Sequence, residues 1–191
     1  MIAIIKYNAG NTTSLKYALN RIGADAIITD DPNLIAAADK VIFPGVGEAS
    51  SAMQYLKEKG LDDTIRNLTQ PVLGICLGMQ LLCNYSRENN TPGLCIFNSV
   101  VHKFPSLREG SGVGLKVPHV GWNEVRQPNQ SFDAYFVHSY YAELCADTMA
   151  ETTYIFPFSA ALQKNNFYGV QFHPEKSGEA GAQYLKNFLS L

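Results

Sequence analysis

The stretch VLGICLGMQLLC, residues 72–83, changes character at Cys76. Up to that point it is a short apolar run after Pro71, the pattern of a buried strand. Beyond it the apolar residues recur with helical spacing. Gly74 and Gly78 flank the cysteine two residues away on either side. On a sharp strand-to-helix turn, small residues at those two positions prevent collisions while the central side chain is lifted off the sheet. This is the mechanical logic of a GxSxG nucleophile elbow, here with cysteine at its centre. The helix that follows points its positive N-terminal end at Cys76, which favours a thiolate, and leaves the Leu77 N–H free to face an oxyanion.

Working outward, the N-terminal half alternates strand-like runs with helical patterns. IAIIK (2–6), DAIIT (25–29) and KVIF (40–43) read as strands. NTTSLKYALNRIG (11–23) reads as a capped helix ending at Gly23, and GEASSAMQYLKEKG (47–60) as a helix stopped by Gly60. Such alternation predicts βαβ units around a mostly parallel sheet, a flavodoxin-like, doubly wound α/β fold. In the C-terminal half the strand signals crowd together: DAYFVHSYYAELC (133–145), TTYIF (152–156), SAALQK (159–164) and FYGVQF (167–172). Asn165 and Asn166 sit between the last two like a hairpin turn, so an additional antiparallel region is expected there, closed by a helix over about 179–190. No repeat, linker or low-complexity segment divides the chain, and residues 1–191 are expected to form one domain.

Composition narrows the function classes. The formal net charge is −2, from 15 basic and 17 acidic side chains with no run of either sign, which gives no footprint for nucleic acid or an anionic membrane. The start MIAIIKYNAGN carries no cationic leader and no later run approaches a membrane span, so a cytoplasmic protein is expected and the NxS/T triplets at Asn11, Asn67, Asn84 and Asn129 are compositional. The four cysteines, Cys76, Cys83, Cys95 and Cys145, contain no CxxC pair and suit neither a disulfide scaffold nor a zinc site. No metal or organic cofactor is expected. EGSGVGLK (109–116) has the spacing of neither a dinucleotide fingerprint nor a phosphate loop and reads as a flexible loop.

A cysteine nucleophile needs a base, and the chain offers His102, His119, His138 and His173. GVQFHPEKS (169–177) is the best setting: Glu175 lies two residues beyond His173, so on an extended backbone both side chains share one side, and Pro174 biases His173 toward that conformation. A carboxylate there can orient the imidazole and stabilise its charged form.

Taken together, GICLGMQ and FHPEKS resemble the class I, triad-type glutamine amidotransferases. More closely, PGVG (44–47), CLGMQLL (76–82), PHVGWNEV (118–125), FVHSYY (136–141) and FHPEKS (172–177) resemble the branch of glutaminase subunits serving imidazole glycerol phosphate synthases in histidine biosynthesis. That branch usually opens with an acidic residue, tyrosine and glycine before GN, where this chain has Lys6, Tyr7 and Asn8. The resemblance implies Cys76 as nucleophile, His173 as base and then acid, and Glu175 as the orienting carboxylate. It implies oxyanion donors from Leu77 and from PGVG, at Val46 or Gly47. Gln80, one helical turn beyond Cys76, would help hold glutamine. Glu88 could meet its ammonium, and the Ser139 and Tyr140 amides its carboxylate. The implied partner is a (β/α)₈-barrel cyclase subunit in a heterodimer, docking on an exposed patch drawn from Asn11, Pro118, His119, Trp122, Tyr135, His138 and Lys176. A glutaminase serving another synthase, and a non-catalytic sensor using the Cys76 thiol, are the alternatives.

Overall fold

The structure, a computed structural model, describes residues 1–105 and 116–191. Apart from Lys116, the EGSGVGLK segment therefore lies outside the described residues. Strands β1 (Ile2–Ile5), β2 (Ala26–Thr29), β3 (Lys40–Gly45) and β4 (Val72–Cys76) alternate with helices α1 (Thr12–Arg21), α2 (Pro32–Ala36), α3 (Ala49–Glu58) and α4 (Leu61–Arg66), and α5 (Leu77–Leu82) follows β4 directly. After β5 (Cys83–Ser86), β6 (Thr91–Pro92) and β7 (Phe97–Lys103) come β8 (His119–Gln127), β9 (Gln130–His138), β10 (Tyr140–Ala142), β11 (Thr148–Thr153), β12 (Pro157–Lys164) and β13 (Phe167–Val170), then α6 (Gly178–Leu189).

The main sheet has the order β2-β1-β3-β4-β13-β12-β11-β8-β9. Its first five strands are parallel, and β12, β11, β8 and β9 extend it antiparallel. The doubly wound fold with an antiparallel C-terminal extension is thus the one expected. Alternation along the strands makes two cores. Ala3, Ile5, Val41, Phe43 and Val72 pack on one face of the sheet with α2–α5, whereas Ile4, Ile42, Leu73, Ile75 and Val170 pack on the other with α1 and α6.

Several local expectations are corrected. The helix after Cys76 is only six residues long, because Cys83 turns extended and β5 pairs with β7 in a separate four-stranded sheet, β10-β7-β5-β6. DAYFVHSYYAELC breaks at Ser139 into β9 and β10, which belong to different sheets. TTYIF is strand only to Thr153, the end of β11. Asn11 begins α1 but makes no side-chain capping bond. Helices α2 and α4 carry no expectation above; α2 is capped by Asp31, whose carboxylate accepts from the Asn33 N–H at 2.8 Å.

The topology positions the site. Gly45 at the end of β3 pairs with Cys76 at the end of β4, and Val170 near the end of β13 pairs with Ile75. The PGVG turn, Cys76 and the segment from Gln171 to Lys176 therefore emerge side by side at the carboxyl edge of the parallel strands, where open α/β sheets bind ligands.

Candidate active site

Cys76 sits on the turn from β4 to α5 with φ 53° and ψ −109°, a conformation that L-residues rarely adopt. A Cβ on Gly78 would run into the Phe43 carbonyl, and one on Gly74 would lie 2.8 Å from the Met79 nitrogen. The two flanking glycines are thus required by the close passage of the turn over β3 and by its own helix. Leu77 opens α5, so its N–H has no partner within the helix.

His173 follows β13 in an extended conformation, but Pro174–Lys176 is a single 3₁₀ turn. The neighbouring placement of His173 and Glu175 comes from that turn and not from a strand pleat, which corrects the geometric reasoning above. The His173 Nδ1 lies 2.9 Å from Glu175 Oε1, and both side chains are about 3% exposed. The loop is stitched to β9: His173 N–H donates to the Tyr135 carbonyl at 2.9 Å, and Ser177 Oγ bridges the His173 carbonyl and the Tyr135 N–H. Burial disfavours a charged imidazole, but the adjacent Cys76 sulfur and Glu175 outweigh it and raise the His173 pKa to about 10.

A cleft of about 330 Å³ opens beside Cys76 and His173 and is lined by Val46, Gly47, Leu77, Gln80, Glu88, Ser139 and Tyr140. Every expected catalytic, oxyanion and substrate residue except Glu175 therefore lines one cavity, and Glu175 stands behind His173. One expectation changes in detail. The Val46 N–H donates to the Ala9 carbonyl at 2.6 Å and is committed elsewhere, whereas Gly47, at φ 114°, lines the cleft beside Cys76. Glu88 accepts from the Ala49 N–H at 2.8 Å, and burial raises its pKa.

Among the docking candidates, Trp122 is 58% exposed, Pro118 and Lys176 are also exposed, and Tyr135 pairs with Trp122 across β8 and β9. Asn11, partly buried, starts α1 on the loop after β1, on the same edge of the sheet. His119 and His138 are different. Both are buried, at 2% and 6% exposed, so they do not belong to a docking patch. His138 Nδ1 lies 2.7 Å from the Tyr140 carbonyl and must donate to it. Its Nε2 then accepts from His119 Nδ1 at 2.9 Å, and Asn123 donates to His119 Nε2 at 3.3 Å. Both rings are neutral: burial pushes His119 down to about 4, and burial, reinforced by the other histidines, pushes His138 down to about 3 despite the Tyr140 carbonyl.

A pH dependence follows. Histidines in the unfolded chain titrate near 6.5, so below that value the unfolded state takes up protons that the folded state refuses. The contribution of these two histidines to stability is fully present above about pH 6.5 and is lost as pH falls toward 4 and 3. Melts between pH 7 and 4 are expected to show this decline, and His138→Gln is expected to lessen its slope by about one proton.

Two residues absent from the expectations complete the site. Gln171, fully buried, lies between Cys76 and Gln80, and Val137 lines the cleft. Gln171 precedes His173 by two and is the polar residue in an otherwise apolar strand end, the signal that could have drawn attention to it. Among the described residues, no group of three or more His, Cys, Asp or Glu side chains is arranged to hold a metal ion, and no helix is long and apolar enough to cross a membrane.

An elbow cysteine beside a carboxylate-oriented histidine, at the carboxyl edge of a doubly wound sheet, can perform acyl transfer through a thioester. Residues 3–191 match the model of the class-I glutamine amidotransferases, and the chain belongs to that family. Within it, the chain is 53% identical to the imidazole glycerol phosphate synthase subunit HisH of Bacteroides fragilis, over 100% of this chain and 99% of that protein. It is 46% identical to the subunit of the same name from Haemophilus influenzae, over 98% of this chain and 96% of that one. In fold it is similar to a crystal structure of a glutamine amidotransferase (TM-score 0.75, 18% identity, covering 100% and 98% of the two chains) and to PurLQS from Thermotoga maritima (TM-score 0.71, 15% identity, covering 99% and 97%).

Proposed function

We propose that this chain is the glutaminase subunit of an imidazole glycerol phosphate synthase, hydrolysing L-glutamine to L-glutamate and ammonia for a partner subunit. The observation that carries the chemistry is the meeting of Cys76 and His173, the latter held by Glu175, in a cleft that is also lined by Gln80 and Glu88. The Cys76 thiolate attacks the glutamine side-chain amide, giving a tetrahedral oxyanion that receives the Leu77 and Gly47 N–H groups. The C–N bond breaks as the His173 imidazolium gives its proton to the leaving nitrogen, leaving ammonia and a glutamyl thioester. Water then loses a proton to His173 and attacks the thioester, the C–S bond breaks, and glutamate leaves with the thiolate restored. Glu175 keeps the imidazole oriented throughout. Glu88 meets the substrate ammonium in this proposal, and the Ser139 and Tyr140 backbone amides meet its carboxylate; all three residues line the cleft.

The partner is a cyclase subunit with a (β/α)₈ barrel, and the pair works in the cytoplasm, with residues 1–191 as one glutaminase domain. Ammonia released into water is protonated and lost to the reaction, so the cleft mouth must close against the partner. The surface beside the mouth suits this role: Val120 and Trp122 on β8 face the same way as Tyr135 and Val137 on β9, and Val46 is exposed nearby. Trp122→Ala is expected to raise the dissociation constant for the cyclase by about 30-fold, read by calorimetric titration.

The deciding measurement is glutamate release by the purified chain alone and with a cyclase subunit and its nucleotide substrate. Cys76-dependent release that rises with the loaded cyclase supports the proposal. Strong release indifferent to the cyclase assigns the chain to another synthase, and no release in either condition favours the sensor alternative.

A further inference from the structure

Gln171 makes a connection that the catalytic reading leaves unused. Its side chain is fully buried immediately after β13, with its backbone N–H tied to the Ala160 carbonyl. Its Nε2 lies 3.6 Å from Cys76 Sγ, and its Oε1 accepts from Gln80 Nε2 at 2.9 Å. The second N–H of Gln80 goes to the Tyr140 carbonyl, also at 2.9 Å. A backbone carbonyl can only accept, so Tyr140 dictates the polarity of the whole chain. Gln80 must present its NH₂ to both neighbours, Gln171 must therefore receive with its oxygen, and its NH₂ is left facing the sulfur. His138 Nδ1 donates to the same carbonyl at 2.7 Å.

We infer that Gln171 is a positioning residue for the reaction: it holds the Cys76 sulfur in the orientation for attack, supports its charged form with an N–H donor, and ties it to Gln80 in the substrate cleft. An N–H aimed at sulfur favours thiolate over thiol, both before attack and when the thiolate is expelled from the thioester. The bond to Gln80 makes the wall that meets glutamine and the attacking atom parts of one rigid unit. The inference rests on the reading of Cys76 as nucleophile.

The test uses the full chain with Gln171→Glu, which keeps the acceptor for Gln80 but presents oxygen to sulfur, and Gln171→Met, which keeps the length without a donor. A third variant, Gln80→Met, leaves Gln171 in place but removes the bond that orients its amide. The first readout is the rate of Cys76 alkylation by iodoacetamide from pH 5 to 10, with the modified residue assigned by mass spectrometry. Both Gln171 variants are expected to move this profile up by about one pH unit and slow alkylation at pH 7 about 10-fold, and Gln80→Met to move it in the same direction by less. The second readout is glutamine turnover with the cyclase, where kcat is expected to fall with the same pH displacement and KM to rise. A folded Gln171→Met or Gln80→Met protein with the wild-type alkylation profile overturns the inference, even if turnover falls. A Cys76→Ala protein that still hydrolyses glutamine at the wild-type rate overturns the glutaminase reading itself, whatever the Gln171 variants do.

Discussion

Cys76→Ala is expected to lower glutamine hydrolysis by about 10⁴-fold or more, with the fold and cyclase binding retained. The sulfur is the atom to which the glutamyl group becomes bonded, so no other step of the sequence survives its loss. The methyl of alanine fits where the thiol was, and the elbow strain at φ 53° is carried by the surrounding packing and not by the sulfur. Glutamate release in the presence of the loaded cyclase, against a blank without the glutaminase subunit, reads the effect. Glu175→Gln is expected to fall between Cys76→Ala and the wild type, about 10²- to 10⁴-fold down, because an amide in place of Oε1 no longer stabilises the charged ring or fixes its tautomer. Wild-type turnover in Glu175→Gln removes it from the proposed triad.

Gly78→Ala is expected to damage the fold and the site together. The added methyl would overlap the Phe43 carbonyl oxygen of β3, and neither group is the end of a flexible side chain that could move aside. Relief requires lifting α5 from the sheet or displacing the end of β3, at a cost of about 3 kcal/mol or more. For a chain of this size that corresponds to a melting temperature lower by roughly 6–12 °C. The same displacement moves the Leu77 N–H and the strand that leads into PGVG, so turnover falls even at temperatures where the variant is folded. An alanine protein with the wild-type melting temperature and kcat would mean that the turn does not pass so close to β3.

Much of this was legible from residue order. The period-2 and 3.6-residue patterns of the N-terminal half announce the parallel layer, since a buried strand must be apolar on both faces and a covering helix on one. The glycine spacing around Cys76 announces a tight turn because only a missing Cβ permits the approach to Phe43. Less legible was anything decided by distant partners. The helical spacing of residues 77–83 is cut short because Cys83 finds Phe97 across a second sheet, 14 residues on. Residue spacing predicts the pairing of His173 with Glu175 through a pleat, yet a 3₁₀ turn produces it. The PGVG motif does not reveal that the Ala9 carbonyl takes the Val46 N–H.

The histidines mark the boundary most clearly. Sequence alone determined that this chain builds a doubly wound α/β layer, that Cys76 lies on a glycine-cleared turn at its edge, and that His173 travels with a carboxylate two residues away, because each of these depends on local steric and periodic constraints. Only the tertiary structure decided that His119 and His138 are interior groups and not docking residues, and that Gln171 joins Cys76 to Gln80. Whether a polar side chain meets water, a partner or a buried hydrogen bond depends on which strands are brought beside it, and residues 76, 80, 138, 140 and 171 become neighbours only when three separate segments close around one cleft.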